Sequence, residues 1–204
     1  MSRYRGPRVR ILRRLGSELP GLTTKTAARR PVAPGHAAAA NRRFPKLSEY
    51  GLRLREKQKL KHHFGLSERQ LRLVYKKAKS LAGDTGRNMV SLLESRLDNL
   101  VWRAGFTRTI PAARQLVAHG HVNIGDRRAR TPSQMIKPGT KFQLRPKCLS
   151  REDIRLSANN PVIAPPAGLT IDLDTMAVTV SSIPTVDECP LEVDIQKVIE
   201  FYSR

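Results

Sequence analysis

The sequence predicts an α+β protein, and three observations support this class. Apolar residues recur at helical spacing through the first half of the chain, as in the segment that follows the capping pair Ser67 and Gln70. The period then changes to two at Val122 and Ile124, which indicates a strand. A second alternating stretch, over 169–180, predicts a β-hairpin near the end of the chain.

Residues 1–46 are predicted to form a basic N-terminal arm. Five prolines interrupt any long helix here, so that only Val9–Leu15 is expected to be helical. The arm offers few apolar residues for a core, and we expect it to be poorly ordered when the chain is alone. Its many arginines favour docking along a groove lined by phosphates.

Helical signals begin near Leu47. A first helix is expected over 48–64, with Gly65 at the position of a C-terminal glycine. The capping pair opens a second helix that runs to about Leu81. Its apolar stripe predicts one buried face, and its cations lie off that stripe.

Two further helices and a small sheet are predicted to form a compact α+β unit. We expect one continuous helix over 88–105 and a shorter helix over 109–120, with Pro111 in its first turn. Strands that include Val122 and Phe142 follow these helices. The unit is therefore a pair of helices packed on a small sheet.

The last quarter of the chain is less regular. Residues 151–168 are expected to be a linker, because they are rich in proline and end in glycine. The hairpin over 169–180 follows the linker. The closing stretch Leu191–Tyr202 is apolar enough to pack back on the body of the protein.

The charge of the chain is large and uneven. Its net charge is +21, with 38 Lys and Arg against 17 Asp and Glu. Residues 1–80 carry 22 basic and four acidic residues, 81–150 carry 12 and four, and 151–204 carry four and nine. This excess predicts a polyanionic partner, either a nucleic acid or an anionic membrane surface. No apolar run approaches the roughly 18 residues of a membrane-spanning helix, so we expect a nucleic acid and no membrane.

Neither a metal nor another cofactor is expected. Cys148 and Cys189 are the two cysteines, and two distant thiols supply neither a zinc knuckle nor a disulfide framework. They indicate free thiols in a reducing compartment. The adjacent histidines at 62–63 point to different sides of a helix and have no further ligand close in sequence.

We expect RNA contacts from cations, amides and imidazoles that lie off the apolar stripes. Arginines make forked contacts with phosphates, whereas Gln and Asn reach sugar and base edges. A-form RNA is recognised through its backbone and shape, which a helix pair on a small sheet can contact. The candidate RNA-binding residues are Arg3, Arg5, Arg10, Arg13, Arg14, Lys46, Arg53, Lys57, Lys59, Lys61, Arg69, Arg72, Lys76, Arg103, Arg108, Arg114, Gln115, His119, His121, Asn123 and Lys137.

Several motifs carry a family resemblance. Within the compact unit, Glu94–Phe106, Pro111–Val122 and Ile136–Gly139 resemble the S4 RNA-binding module. Motifs elsewhere resemble the small-subunit ribosomal protein S4 family from end to end: Met1–Arg8, Arg53–Leu60 and Glu200–Arg204. Arg13–Gly16 and Leu19–Thr23 are similar to the cyanobacterial and plastid branch of that family.

This resemblance has implications for architecture and partners. It implies that a module over 89–150 is inserted into a helical domain over 47–88, which the C-terminal strands and tail over 169–204 complete. It implies binding to small-subunit ribosomal RNA at a junction of its 5′ domain, early in subunit assembly. Neighbouring ribosomal proteins and messenger RNA near the entry channel are further implied partners, with an effect on translational accuracy. The implied location is a ribosome in the plastid stroma or in the bacterial cytoplasm.

The chain departs from the family pattern in three places. Some members hold zinc through cysteines of the N-terminal arm, and this arm has none. Of the family's Pro-Pro-Gly-Gln-His-Gly motif only Pro34, Gly35 and His36 remain, so RNA contacts around them stay open. Gly125 and Asp126 stand where an Asn-Gly turn is usual.

Two alternative functions involve other uses of such a module. Arg96, Leu97 and Asp98 resemble the catalytic tripeptide of pseudouridine synthases, which would make the chain an RNA-modifying enzyme. However, the tripeptide lies within a predicted helix of the module, with Leu97 on its buried stripe, and no separate catalytic domain of plausible size remains. We therefore expect no enzyme and a structural role for Asp98. The other alternative is a free-standing RNA chaperone or stalled-ribosome factor.

Overall fold

A computed structural model describes Tyr4 and residues 6–28, 32–35 and 47–203. Within these residues the chain forms nine helices and a five-stranded antiparallel sheet, which confirms the α+β class. The helices are α1 (Arg8–Leu15), α2 (Glu49–His63), α3 (Glu68–Ser80), α4 (Thr85–Glu94), α5 (Leu97–Arg103), α6 (Ile110–Ala118), α7 (Pro146–Leu149), α8 (Glu152–Asn159) and α9 (Ile195–Ser203). The strands are β1 (Val122–Ile124), β2 (Arg127–Ala129), β3 (Lys141–Leu144), β4 (Leu169–Asp172) and β5 (Ala177–Val180).

Two separate hydrophobic cores divide the molecule. The first lies among α1, α2, α3, α4 and α9, and we call these elements the helical unit. The second lies among α5, α6, α8 and the sheet, and we call these elements the module. Each core buries large apolar side chains almost completely, which is the principal stabilising contribution in both units.

The N-terminal arm is part of the first core, which corrects the expectation that residues 1–46 pack little. The predicted helix over Val9–Leu15 is present as α1 and ends at Gly16, whose φ of 65° suits glycine. Leucine and isoleucine side chains of α1 and of the loop after it are buried in the first core, where α1 contacts α2: Ile11, Leu12, Leu15, Leu19 and Leu22. Removing the arm would therefore expose core surface.

The capping signals of α2 and α3 are confirmed. The Ser48 side chain accepts a hydrogen bond from the backbone N–H of Gly51 at 3.2 Å. Ser67 and Gln70 form the predicted capping box in both directions. Gly65 follows the end of α2 with a φ of 59°, a left-handed conformation that a glycine adopts without steric cost.

The continuous helix expected over 88–105 is wrong, because it is two helices, α4 and α5. Backbone groups of the segment 132–136 take over the hydrogen bonding at the break: Ile136 N–H donates to Ser95 O, and Leu97 N–H donates to Gln134 O, both at 2.8 Å. The start is also earlier than predicted, with Asp84 as the N-cap of α4. The boundary between the two cores therefore lies at this break rather than at 88.

The hairpin β4–β5 belongs to the module and not to the helical unit, which corrects the predicted completion of 47–88 by strands of 169–204. The strand order is β2-β1-β3-β5-β4, and β5 pairs with β3 through Phe142 and Val178, among others. Both side chains are fully buried in the second core, which explains the register. Only the end of the chain returns to the helical unit, where α9 packs against α2, α3 and α4.

The predicted linker over 151–168 contains α8. Ile154 and Ala158 lie on the buried face of this helix, and the Ser157 hydroxyl donates to Gly105 O at 2.7 Å. The prolines that follow α8 in the sequence favoured the prediction of a linker. The module thus extends beyond 150, through α8 and the hairpin. No helix within the described ranges is long and apolar enough to cross a membrane.

Candidate RNA-binding surface

Three grooves on the surface bring together many of the predicted RNA-binding residues. The first has a volume of about 640 Å³ and lies between α1 and α2. Arg10 and Arg14 enter it from α1, and Lys61 and His62 enter it from the last turn of α2. Both arginines are exposed, so their guanidinium groups are accessible to a phosphate.

The second groove lies between the helical unit and the module, with a volume of about 690 Å³. Arg8 and Lys61 line it on one side, and Arg114 and Gln115 line it on the other. The third, of about 540 Å³, lies between α6 and α8 within the module. Its lining includes four of the predicted residues: Arg108, Gln115, His119 and His121.

The three grooves adjoin one another. The first and second share Lys61 and His62, and the second and third share Gln115. We therefore treat them as one surface and call it the long groove. In the part of the chain that the structure describes, seven basic side chains line it: Arg8, Arg10, Arg14, Lys61, Arg108, Arg114 and Arg151.

Two carboxylates face these cations in the long groove, and each already has a protein partner. Glu68 accepts from Lys57 Nζ at 2.9 Å and from the Tyr202 hydroxyl at 2.8 Å. Asp153 accepts from Arg151 at 2.6 Å. Positive charge therefore prevails along the described lining, which suits a polyanionic ligand.

His62 and His121 of the groove are neutral near pH 7. Burial, with the charges of Lys61 and Lys57, lowers the pKa of His62 to about 4. Burial, with the charges of Arg151 and neighbouring groups, also lowers the pKa of His121. A neutral imidazole both donates and accepts a hydrogen bond, which suits contacts with ribose or bases. Among the described residues, no group of three or more His, Cys, Asp or Glu side chains is arranged to hold a metal ion.

Other predicted residues lie outside the lining of the long groove. Arg69, Arg72 and Lys76 are exposed together on the outer face of α3, and Lys137 is exposed near the start of β3. Asn123 is half-buried in β1, opposite Arg128 of β2. Two further predictions on the arm and one before α2 fall outside the described residues: Arg3, Arg5 and Lys46.

Three predicted cations on α2 are engaged with acids of the protein. Lys57 is buried, and its ammonium pairs with Glu68 and lies 4.4 Å from the ring centroid of Phe201. Arg53 donates to Glu200 at 2.6 Å. Lys59 lies 2.8 Å from a carboxylate oxygen of Glu56, with both side chains largely buried. These contacts favour a role in the fold for the three α2 cations, in place of the RNA contacts predicted for them. On α1, Arg13 is half-buried and donates to Val32 O at 2.9 Å.

Arg103 also serves the fold. Its guanidinium is buried, donates to Glu188 O at 2.6 Å and lies 3.5 Å from the Glu94 carboxylate. Burial raises the pKa of Glu94, an effect that the charge of Arg103 opposes. Because RNA cannot reach this position, the prediction of Arg103 as an RNA ligand is wrong.

Asp98 has the structural role expected of it. Its carboxylate is 1% exposed and accepts hydrogen bonds from Arg96 at 2.9 and 3.0 Å and from Arg114 at 2.7 and 2.9 Å. The backbone N–H of Asn99 donates to the same carboxylate at 3.0 Å. A uridine has no access to this group, so the tripeptide lacks the geometry of a catalytic aspartate.

Two basic residues of the long groove were not predicted from the sequence. Arg151 lies just before α8, in a segment that was expected to be a linker. Arg8 opens α1 and faces the groove between the units. The arginines around the Gly125-Asp126 turn were also missed, and Arg128 among them donates to Gly120 O at 2.7 Å and His119 O at 2.8 Å.

Comparisons with known proteins agree with this division of the chain. The family described as ribosomal protein S4/S9 N-terminal domain matches residues 3–94, and the S4 domain matches residues 95–141. The boundary between the two matches coincides with the break between α4 and α5. The S4 domain therefore begins where the second core begins.

Full-length relatives extend the match over the whole chain. A protein of Synechococcus elongatus is 47% identical over 100% of this chain and 99% of its own length. A protein of Halalkalibacterium halodurans is 46% identical over 100% of both chains, and one of Geobacillus stearothermophilus is 45% identical over 100% of both. All three are named small ribosomal subunit protein uS4. The chain belongs to the ribosomal protein S4 family, and cyanobacterial proteins are among its relatives.

Proposed function

We propose that the chain is a structural component of the small ribosomal subunit that binds the ribosomal RNA through the long groove. The observation that carries the proposal is the continuity of this groove across both units, with cations along its described length. Family membership supports the same role, because the relatives are named as proteins of the small ribosomal subunit. The protein is not an enzyme, and its location is the ribosome.

The more specific proposal is that the groove binds a junction in the 5′ domain of that RNA, early in assembly. A junction presents helices in different directions, and a groove shared by two units suits contacts with more than one of them. The exposed cations of α3 lie outside the groove lining and supply a second cationic surface: Arg69, Arg72 and Lys76. We assign this second surface to a further helix of the same ribosomal RNA, with messenger RNA near the entry channel and neighbouring ribosomal proteins as further partners.

A salt titration tests the binding proposal. The full chain is titrated against a transcript of the 5′ domain of small-subunit ribosomal RNA, with a 3′-domain transcript of equal length as the control. If about ten phosphates are neutralised, affinity falls by roughly three to five decades between low and physiological salt. Weak salt dependence, or equal affinity for both transcripts, would contradict the proposal.

A second experiment separates a structural subunit from a free-standing RNA chaperone. Small subunits are washed at high salt, and the chain that remains bound is quantified by mass spectrometry against another ribosomal protein. A structural component remains in stoichiometric amounts. Sub-stoichiometric occupancy after the wash would favour the chaperone.

A further inference from the structure

The side chain of Arg114 connects the two units. Within the module, its Nε and Nη2 donate to a carboxylate oxygen of Asp98 at 2.9 and 2.7 Å. Across the second groove, Nη1 donates to Gly65 O at 2.6 Å and Nη2 donates to Phe64 O at 3.1 Å. All three guanidinium nitrogens are therefore occupied by protein acceptors, four hydrogen bonds in all.

The acceptors in the helical unit lie at the end of α2. Phe64 is the C-cap of this helix, and Gly65 follows it. Carbonyls at a helix C-terminus lack donors from the next turn and carry the negative end of the helix dipole. A cation there is favourable, and Arg114 supplies one from the other unit.

Gly65 allows this close approach. Its φ of 59° turns the chain so that its carbonyl faces Arg114. A Cβ atom built at this position would lie 3.2 Å from Arg114 Nη1, closer than ordinary van der Waals contact. The glycine therefore serves both the backbone turn and the approach of the guanidinium.

The contact lies within the long groove, between residues that are themselves candidates for RNA contact. Lys61, in the last turn of α2, precedes the carbonyls that Arg114 holds, and Gln115 follows Arg114 on α6. These two side chains join the second groove to its neighbours. The orientation of α2 relative to α6 thus decides whether the three grooves are continuous.

We propose that Arg114 is a positioning residue that fixes the module against the helical unit and so keeps the long groove continuous. This role replaces the predicted one of phosphate ligand, because four of the five N–H donors of Arg114 are already used within the protein. The structural half of the proposal concerns the free protein alone, and its consequence for RNA rests on the proposed function. The planar fork is required, since a lysine ammonium cannot reach all three acceptors with the same geometry.

The first test measures the distance between the units in the free, full-length protein. Spin labels are attached at Leu73→Cys on α3 and Leu173→Cys in the hairpin turn, whose parent side chains are 57% and 46% exposed. The native cysteines are expected to react little with the spin label, because Cys148 is buried and burial raises the pKa of Cys189 to about 12. Arg114→Gln and Arg114→Lys are expected to broaden the distance distribution.

Arg108→Gln is the matched control, because Arg108 is an exposed cation that lies just before α6 and the substitution changes the charge equally. It is expected to leave the distance distribution unchanged. Arg96 still pairs with Asp98 in the Arg114 variants, so the module is expected to remain folded, which circular dichroism checks. An unchanged distribution in both Arg114 variants would overturn the proposal.

The second test compares RNA affinity and its salt dependence for the same variants. Arg108→Gln is expected to lower the slope of log K against log salt by about one, the loss of a single phosphate contact. Arg114→Gln is expected to weaken binding to the 5′-domain transcript about tenfold and to lower the slope by more than one, because contacts of a whole unit are lost. Arg114→Lys is expected to behave like Arg114→Gln although its charge is kept.

The outcomes separate this proposal from the proposed function. Two results together would overturn the proposal: Arg114→Lys binds the transcript as well as the unsubstituted chain does, and Arg114→Gln shows the same salt slope as Arg108→Gln. They would show that Arg114 contacts a phosphate. Failure of the unsubstituted chain to bind the transcript would contradict the proposed function, while the distance measurement would still test the role of Arg114 in positioning.

Discussion

Helices α2 and α3 are similar in sequence, yet the cations of α2 pair with acids of the protein and those of α3 are exposed. Both helices are rich in Lys and Arg and are preceded by a capping serine. On α2, three cations pair with acids: Arg53, Lys57 and Lys59. On α3, the described part of the chain forms no ion pair with Arg69, Arg72 or Lys76, which are exposed. Charge density alone therefore does not predict an RNA-binding helix, because acids on the same helix and elsewhere in the chain can pair with its cations.

The largest expected effect comes from neutralising the α3 face. Changing Arg69, Arg72 and Lys76 together to Gln is expected to weaken binding to ribosomal RNA about 100-fold, because up to three phosphate contacts are lost. The slope of log K against log salt is expected to fall by about two to three, and the melting temperature to stay unchanged. Filter binding and calorimetry measure the two quantities.

The matched triple substitution on α2 sharpens this comparison. Arg53, Lys57 and Lys59 changed to Gln are expected to lower the melting temperature and to leave the salt slope nearly unchanged. If both triple variants lost binding with equal slopes and without loss of stability, the distinction between the two helices would be wrong.

A pH titration is expected to give the next effect in size. Burial, with the charge of Arg103, lowers the pKa of His63 at the end of α2 to about 3, against an ordinary value of 6.5. The unfolded chain therefore binds a proton below pH 6.5 that the folded chain does not, and stability falls as pH falls through this window down to about pH 3. Between pH 6.5 and pH 5 the loss attributable to His63 is about 2 kcal/mol.

His63→Phe tests this pH dependence. The variant keeps a ring against Phe64 and Trp102, which His63 contacts edge-on. Its free energy of unfolding, measured by urea denaturation, is expected to depend less on pH than that of the unsubstituted protein. Parallel curves for the two proteins between pH 6.5 and pH 5 would show that His63 does not carry the effect.

The smallest expected effect concerns one ion pair. Lys57→Met keeps the apolar stem but removes the ammonium that pairs with Glu68 and lies over Phe201. Glu68 is partly exposed and so recovers water, which limits the loss of stability to about 1–2 kcal/mol. Lys76→Met, at an exposed site of α3, is the control and is expected to change stability little while it weakens RNA binding. Equal destabilisation by both substitutions would contradict this account.

Local signals predicted local structure well. The capping box at Ser67 and Gln70, the end of α2 near Gly65 and the strand at Val122–Ile124 all depend on residues close in sequence. The break between α4 and α5 did not follow from such signals, since the backbone that replaces the helical hydrogen bonds comes from 132–136.

In the candidate site, too, the sequence predicted contacts between neighbouring residues but not contacts between distant ones. Arg108, Gln115, His119 and His121 meet in one groove as the helical pattern predicted, because they lie on one side of a short segment. Arg114 lies on the same segment, but its acceptors Phe64 and Gly65 are far away in sequence. The difference between a ligand-binding arginine and a positioning arginine is thus a tertiary property.

The position of α9 has a consequence for synthesis of the chain. Val198 of this helix fills the core formed by α2, α3 and α4, yet it is translated after every element of the module. The elements of the module have all left the ribosome before α9 does, so the inserted unit can complete its core first. The helices translated first must wait for α9, and a message truncated shortly before codon 195 would yield a product whose first core lacks this helix.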